Sequence, residues 1–213
     1  MNKEFMTDGD VIILVNNIFS KIHDSRTISE LESIPKEHPS KFKYDENKYP
    51  PLKFEFSEEE IKSIKNIFED SNINLQQFLK DPIAKLLYAL IWKQGDLAKL
   101  KPIVEGMIEE QELQKKEAAI FRQFGRHLKN RDEPIVDQHV LRAYGVFKNR
   151  GDIFKVSSIR KQEKFQFEMI KCYRDWFKKN KLSEAGSGTV QDHILFGLGK
   201  TIKASKTKAD FNV

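Results

Sequence analysis

The sequence predicts an all-α fold of eight or nine helices, with one extended connection near the N-terminus. Apolar residues recur three and four positions apart through most of the chain, which is typical of helices with one buried face. Capping residues and proline or glycine breaks separate these runs, and there is no internal repeat. The chain therefore resembles a packed set of helices rather than a sheet protein or a solenoid.

Composition excludes several classes. The 213 residues are 39% hydrophobic and 32% charged, which is typical of a globular protein. No apolar run reaches membrane-spanning length, and the N-terminus lacks a signal-peptide pattern. With Cys172 as the single cysteine, an internal disulfide framework is excluded. There is also no Cys/His cluster, so we expect no metal and no cofactor. From the lack of a membrane-spanning run and of a disulfide framework, we expect no membrane partner and a cytoplasmic location, nucleoid-associated if the source is bacterial.

Charge is unevenly distributed. Residues 1–100 carry 14 basic and 17 acidic side chains, whereas residues 101–213 carry 23 and 15. Neutralisation of phosphates supplies most non-specific affinity for nucleic acid, so a basic half is compatible with a nucleic-acid contact face.

The first part of the chain contains one helix and then a long break. Asp8–Lys21 reads as a short amphipathic helix. Prolines interrupt residues 23–56, which we interpret as an extended connection, with a short strand or hairpin as an open alternative. We therefore expect an N-terminal segment, 1–56, followed by a helical body, 57–213.

Local signals then place the helices of the body. Ser57 and Glu60 form a capping box that starts a helix ending near Asp70. Asp81 with Pro82 starts the next helix, in the order cap then proline that helix N-termini favour. The apolar face of that helix consists of Ile83, Leu86, Leu87, Leu90 and Ile91. Later helices are predicted over 97–108, 113–129, 157–179 and 190–205, with Asp96, Ser157 or Ser158, and Ser187 or Thr189 as caps.

The stretch Glu133–Tyr144 is the most informative part of the chain. Pro134 ends the preceding structure, and Asp137 stands at the N-cap of a helix with Val140 and Leu141 on its apolar face. A carboxylate at a helix N-terminus is held by backbone N–H groups, which fixes one negative charge in place. This residue is a helix cap and a candidate catalytic group at once.

Residues 60–205 resemble the helix–hairpin–helix DNA glycosylase superfamily, which includes endonuclease III and 8-oxoguanine DNA glycosylase. The similarity lies in a small-residue helix ending in Phe124-Gly125, then Pro134, then Val136-Asp137-Gln138-His139-Val140. The returning helix 190–200 and the glutamine-bearing end of 81–95 are similar to further parts of that fold. The resemblance implies a two-lobed helical glycosylase fold acting as a monomer on double-stranded DNA that contains a damaged or modified base.

The hairpin departs from the family pattern. The family places a glycine-rich turn there, whereas Met107–Lys116 contains no glycine and several glutamates. Either the hairpin is rebuilt or its contact with DNA is weakened. Members with a lyase step carry a lysine after the hairpin. When the sequences are aligned on Phe124-Gly125, the position of that lysine falls on Gln114, immediately before Lys115 and Lys116. Both lysines stay candidates.

The resemblance implies base excision, in which the nucleotide leaves the stack and cleavage at the sugar develops positive charge. Asp137 would stabilise that charge or orient the nucleophile, and Lys116 or Lys115 would attack the sugar carbon if the enzyme also has AP-lyase activity; otherwise water would be the nucleophile. The resemblance implies a damaged or modified base as the substrate, with oxidised purines among the candidates. The alternative function is a catalytically degenerate DNA- or protein-binding module. Candidate DNA contacts are Gln94, His139, Arg142, Gly188, Thr189, Lys200 and Lys203, with Trp92 as a candidate for the base pocket.

Overall fold

The computed structural model describes residues 6–38, 42, 47, 49–50, 52, 54–69, 74–109 and 115–205. Within these residues the structure is helical with no β-strand, which confirms the predicted all-α class. In the same residues, no helix is both long enough and apolar enough to cross a membrane. The helices are α1 Asp8–Asp24, α2 Ile28–Glu37, α3 Glu58–Glu69, α4 Pro82–Lys93, α5 Leu100–Ile108, α6 Ala119–Lys129, α7 Gln138–Lys148, α8 Ile153–Lys161, α9 Phe167–Asn180 and α10 Ser187–Ala204.

Contacts divide the chain into two compact units. Unit 1 contains Met1–Leu52 and Arg131–Val213, and unit 2 contains Lys53–Asn130. The sequence-based division instead joined residues 131–213 to the helices that precede them. Contacts group α7 and α10 with α1 and α2 because the chain returns to its first helices after residue 130.

The core of unit 1 is built around α1, α7 and α9. Phe19 of α1 stacks on Phe147 of α7, with ring centroids 4.2 Å apart. Tyr144 and Tyr173 meet edge to face at 5.5 Å, and Trp176 of α9 packs against both. In α9 the buried face consists of Ile170, Tyr173, Arg174 and Phe177, and Trp176 beside it is partly buried.

Helices α7 and α10 make the closest contact in unit 1. Gly199 lies on α10 directly against the backbone of His139, so that a Cβ atom at residue 199 would stand 1.9 Å from the carbonyl oxygen of His139. Only glycine lets two helix backbones approach so closely. This contact places α10 beside the first turn of α7, which is the turn that Asp137 caps.

Unit 2 is organised around the pair α5 and α6. Gly106 of α5 and Gly125 of α6 each face the backbone of the other helix, with built Cβ atoms 2.0 Å from Arg122 O and 1.9 Å from Ile103 O. Arg122 is buried, and its guanidinium binds the carboxylates of Glu105 and Glu109. Residues 110–114 between the two helices, among them the aligned Gln114, lie outside the described residues.

Helix α4 keeps its predicted start but exposes its apolar face. Asp81 accepts hydrogen bonds from the N–H groups of Ile83 and Ala84, at 2.8 and 3.0 Å, and Pro82 occupies the first turn as expected. No residue of this helix is buried. Its exposed large apolar side chains are Ile83, Leu86, Leu87, Leu90 and Trp92.

Several helix boundaries differ from the prediction. Helix α2 lies in the segment interpreted as extended, where Thr27 and Glu30 form a capping box and Pro35 is accommodated in the last turn. The predicted helix 157–179 is two helices, α8 and α9, separated at residues 162–166. Helix α6 begins only at Ala119, because Ala118 adopts a left-handed conformation with φ 53°.

Candidate active site

Asp137 is the N-cap of α7, as the sequence predicts. Its backbone is extended, with φ −135° and ψ 176°. One carboxylate oxygen, Oδ1, accepts hydrogen bonds from the N–H groups of His139 at 2.7 Å and Val140 at 2.8 Å. Within the described part of the chain the other oxygen, Oδ2, makes no hydrogen bond. The residue is half-buried, so one oxygen is anchored and the other is available to a bound molecule.

The surroundings of Asp137 make its carboxylate more basic than usual. Burial raises its pKa above the ordinary value of 3.8. The two backbone hydrogen bonds oppose this shift, followed by the positive charges of Arg142 and Lys200. A partly desolvated carboxylate interacts more strongly with positive charge than one in water does.

The segment that leads into Asp137 is fixed at two further positions. The carboxylate of Glu133 is buried and binds Nη2 of Arg174 at 3.0 Å and Nζ of Lys178 at 2.7 Å. The backbone N–H of Ile135 donates to Oδ2 of Asp192 at 2.8 Å. Residues 133, 135 and 137 are therefore each held by a specific contact.

A second carboxylate lies beneath the site. Asp192 of α10 is buried, and its Oδ1 accepts a hydrogen bond of 2.9 Å from the hydroxyl of Tyr173. Burial raises the pKa of Asp192 to about 8, and the negative charge of Asp137 contributes to the increase. The hydrogen bonds from Ile135 and Tyr173 oppose it. Asp192 is more deeply buried than Asp137, so burial opposes its ionisation more strongly.

Burial and the neighbouring Arg142 keep the ring of His139 neutral. Nη1 of Arg142 lies 3.0 Å from Nδ1 of His139. Because a guanidinium only donates, Nδ1 is the acceptor and the ring proton is assigned to Nε2. Burial, followed by the charges of Arg142, Lys203 and Lys200, lowers the pKa of His139 to about 4.

The structure corrects the expectation that Arg142 contacts DNA. Arg142 is completely buried. Its guanidinium donates to the carbonyl oxygens of Arg160 at 3.1 Å and Gln162 at 2.6 Å, in addition to its contact with His139. These contacts engage Nε, Nη1 and Nη2 of the guanidinium within unit 1. The role of Arg142 is therefore to hold α7 against the end of α8 rather than to reach a phosphate.

Basic and aromatic side chains border the site on α10. Nζ of Lys200 lies 5.4 Å from the ring centroids of both Tyr49 and Phe196. The ring of Phe196 also meets that of His139 edge to face at 5.2 Å. We call these four residues, His139, Phe196, Lys200 and Tyr49, the aromatic–lysine patch. Lys203, one turn beyond on α10, forms an ion pair of 3.0 Å with Glu163.

The first turn of α10 holds the remaining unit 1 candidates. The helix begins at Ser187 after Gly186, whose φ is 89°, rather than at Val190. Gly188 is buried against the ring of Phe177, where a built Cβ atom would lie 3.1 Å from Cζ. Thr189 is partly exposed. Phosphate binding by Gly188 and Thr189 stays a prediction.

No protein-family model, curated protein or solved structure matches this chain. The function must therefore be argued from the site itself. Among the described residues there is no group of three or more His, Cys, Asp or Glu side chains that would hold a metal ion.

The other four candidates lie in unit 2. Lys115 and Lys116 are exposed, and Lys115 lines a groove of about 280 Å³ that has Phe68, Val104 and Ile108 in its wall. Trp92, 64% exposed, and Gln94 lie at the end of α4. Gln94 is the C-cap and is followed by Gly95 with φ 73°.

Sequence reasoning missed several residues that the structure brings to Asp137. Asp192 and Tyr173 lie beneath it, and Tyr49 and Phe196 border it. The one available signal was Asp192 itself, a charged residue that stands two positions before the apolar run 194–199 of its helix. A charge in such a helix is usually paired in the interior.

Proposed function

We propose that this protein is a DNA glycosylase that flips a damaged or modified base out of the duplex and cleaves its bond to the sugar. The observation that carries the proposal is the state of Asp137. Its Oδ1 is fixed by two backbone N–H groups, and no hydrogen bond within the described residues uses its Oδ2. A fixed, partly desolvated carboxylate is suited to stabilise the positive charge that develops on the sugar as the base leaves.

The aromatic–lysine patch supports the same proposal. Lys200 supplies a positive charge close to Asp137, and Tyr49 is 41% exposed beside it. Nucleic acid is bound by combinations of cations, which contact phosphates, and aromatic rings, on which bases stack. His139, whose pKa burial lowers to about 4, keeps a neutral ring in this patch near neutral pH.

Two chemical routes are compatible with these residues. In the first, Asp137 orients a water molecule that attacks the sugar carbon, and the base leaves, which is simple hydrolysis. In the second, the neutral amine of Lys116 or Lys115 attacks the sugar carbon and displaces the base, and opening of the sugar ring then gives a Schiff base, which also permits AP-lyase cleavage. Because both lysines are exposed in unit 2, desolvation of either ammonium would require bound DNA.

The experiment is excision from duplexes that each carry one 8-oxoguanine, uracil, alkylated base or abasic site, with and without borohydride. We expect release of at least one base, with loss of at least about 100-fold in rate for Asp137→Asn and retained duplex affinity. Asp152→Asn is the matched control, because Asp152 caps α8 in the same way, accepting from the N–H of Lys155 at 3.0 Å. Unchanged excision by Asp137→Asn would overturn the assignment.

A second function, a DNA- or protein-binding module without catalysis, is favoured by the hairpin. The sequence between α5 and α6 contains Glu109, Glu110 and Glu112 and no glycine, so a close approach to a DNA phosphate is opposed there. Absence of excision and of borohydride trapping on every duplex would favour this function. Affinity for DNA that falls steeply with salt would then separate a DNA-binding module from a protein-binding one.

A further inference from the structure

Asp192 is the most unusual buried group in the neighbourhood of Asp137. It lies on the second turn of α10 with 3% of its surface exposed. One oxygen accepts the backbone N–H of Ile135 at 2.8 Å, and the other accepts the hydroxyl of Tyr173 at 2.9 Å. Tyr173 is itself completely buried. Within the described residues, Asp192 has no basic partner.

A carboxyl group is a costly choice for this location. Burying an unpaired charge is strongly unfavourable, and burial accordingly raises the pKa of Asp192. An apolar residue in its place would leave the N–H of Ile135 and the hydroxyl of Tyr173 buried without an acceptor, at about 1–3 kcal/mol for each group. What the carboxyl group supplies is two acceptor oxygens pointing in different directions, one toward α9 and one toward the segment before α7.

The geometry of that segment decides where Asp137 points. Ile135 stands two residues before Asp137, and Pro134 before it has a fixed φ angle. Glu133 is already anchored by Arg174 at the other end. The hydrogen bond to Asp192 fixes the peptide group of Ile135 between these two points. Loss of this bond would let that peptide group shift, and the shift would be passed along the chain to Asp137, two residues further on.

We propose that Asp192 is a positioning residue for Asp137, acting through the N–H of Ile135 with Tyr173 as its own support. The inference rests on the proposed function and deepens it, because it assigns to α10 the task of aiming the free Oδ2 of Asp137. Misplacement of a reacting group by about 1 Å costs about 100-fold in rate. A positioning role therefore predicts a loss in kcat, whereas affinity for the duplex stays unchanged.

The test compares three variants at the site with one control. Asp192→Ala removes both acceptors. Asp192→Asn is isosteric and keeps an acceptor for Ile135 while its amide donates to the oxygen of Tyr173. Tyr173→Phe removes only the support. The control is Thr201→Val on the same helix, because Thr201 is 3% exposed and its hydroxyl makes no hydrogen bond within the described residues.

Two measurements are made on the full-length protein. Single-turnover excision should fall about 10–100-fold in Asp192→Ala, with Kd for the duplex within twofold of wild type, and should return to within about threefold in Asp192→Asn. Tyr173→Phe should lie between the two. Thr201→Val should have the wild-type rate. Equal rates for Asp192→Ala and wild type, or equal losses for the alanine and asparagine variants, would overturn the proposal.

Amide hydrogen exchange separates this inference from the proposed function. The N–H of Ile135 should exchange at least tenfold faster in Asp192→Ala than in wild type or Asp192→Asn, together with the N–H groups of His139 and Val140 that bind Asp137. If the wild-type protein excises no base and this acceleration is still observed, the proposed function fails and the placement of Asp137 by Asp192 stands. Unchanged exchange at Ile135 overturns the inference whatever the activity.

Discussion

A Cβ atom built on Gly199 would lie 1.9 Å from the carbonyl oxygen of His139, two residues after Asp137. The backbones of α10 and α7 are therefore in direct contact at the candidate site. Gly199→Ala must push the helices apart, which should lower the free energy of unfolding by about 1–3 kcal/mol in urea denaturation and reduce excision as well. Gly151→Ala is the control, because no atom lies within 4 Å of its built Cβ. An equal loss of unfolding free energy in Gly199→Ala and Gly151→Ala would show that the backbones of α10 and α7 are not in tight contact.

Asp137 should reduce the stability of the fold at neutral pH. Its folded pKa is raised by burial, so ionisation above that pKa favours the unfolded chain. Asp137→Asn keeps an N-cap acceptor and removes the charge. We expect the Tm of the variant at pH 7 to equal or exceed that of wild type, with the difference shrinking as the pH falls through the folded pKa. A clear decrease in Tm would indicate a purely structural carboxylate.

His139 should weaken the fold in acid. Its pKa falls from 6.5 in an unfolded chain to about 4 in the fold, so the unfolded state binds more protons between these values. Stability is then lost as the pH falls from about 6.5 to about 4. Because His139 is partly exposed, the effect is discounted: between pH 7 and pH 4.5, the free energy of unfolding should fall by about 1–2 kcal/mol less in His139→Gln than in wild type. If the free energy of unfolding of the two proteins depended on pH in the same way, this prediction would be contradicted.

Asp192 should weaken the fold as the pH rises, whereas His139 weakens it as the pH falls. Its folded pKa of about 8 lies above the ordinary 3.8, so the folded state binds more protons across that interval. Its contribution to stability is present at low pH and is lost as the pH rises toward 8. Asp192→Asn should therefore flatten the alkaline decline in the free energy of unfolding between pH 5 and pH 8. A decline as steep as that of wild type would mean that Asp192 is ionised throughout.

Trp92 gives an optical test of unit 2. It is 64% exposed, whereas the other tryptophan, Trp176, packs in the aromatic cluster of unit 1. In a Trp176→Phe background, we expect acrylamide to quench Trp92 readily and duplex DNA to protect it if it stacks on a base. Trp92→Ala should then weaken duplex binding by about 1–3 kcal/mol. Phe154→Ala, at an aromatic that is 89% exposed in unit 1, is the control. Quenching that DNA does not change would remove Trp92 from the base pocket.

Local signals in the sequence were sufficient for much of the fold. The capping box of Ser57 and Glu60 is present, with hydrogen bonds of 3.2 and 2.8 Å, and the caps at Asp81 and Asp137 are formed as predicted. Each depends on neighbours three residues away or fewer. The same rule would have found α2 from Thr27 and Glu30, had the prolines not favoured an extended reading.

Features that depend on distant residues were not predictable. Arg142 looks like a surface cation in sequence, yet its partners are carbonyl groups 18 and 20 residues away. Asp192 meets Ile135 across 57 positions. The apolar face of α4 has perfect helical spacing, yet it stays exposed, because periodicity shows which face is apolar and not what covers it.

Unit 2 interrupts unit 1 in the chain, which leaves it near residue 52 and re-enters it at Arg131. Shortening the gene from either end therefore always removes part of unit 1 before unit 2 is lost. Separating the carboxylates Asp137 and Asp192 from Lys115 and Lys116 while keeping both parts of unit 1 requires an internal deletion that joins the two flanks. For the same reason, unit 2 is the part of this protein that a single insertion or excision event could exchange while the carboxylates stay in place.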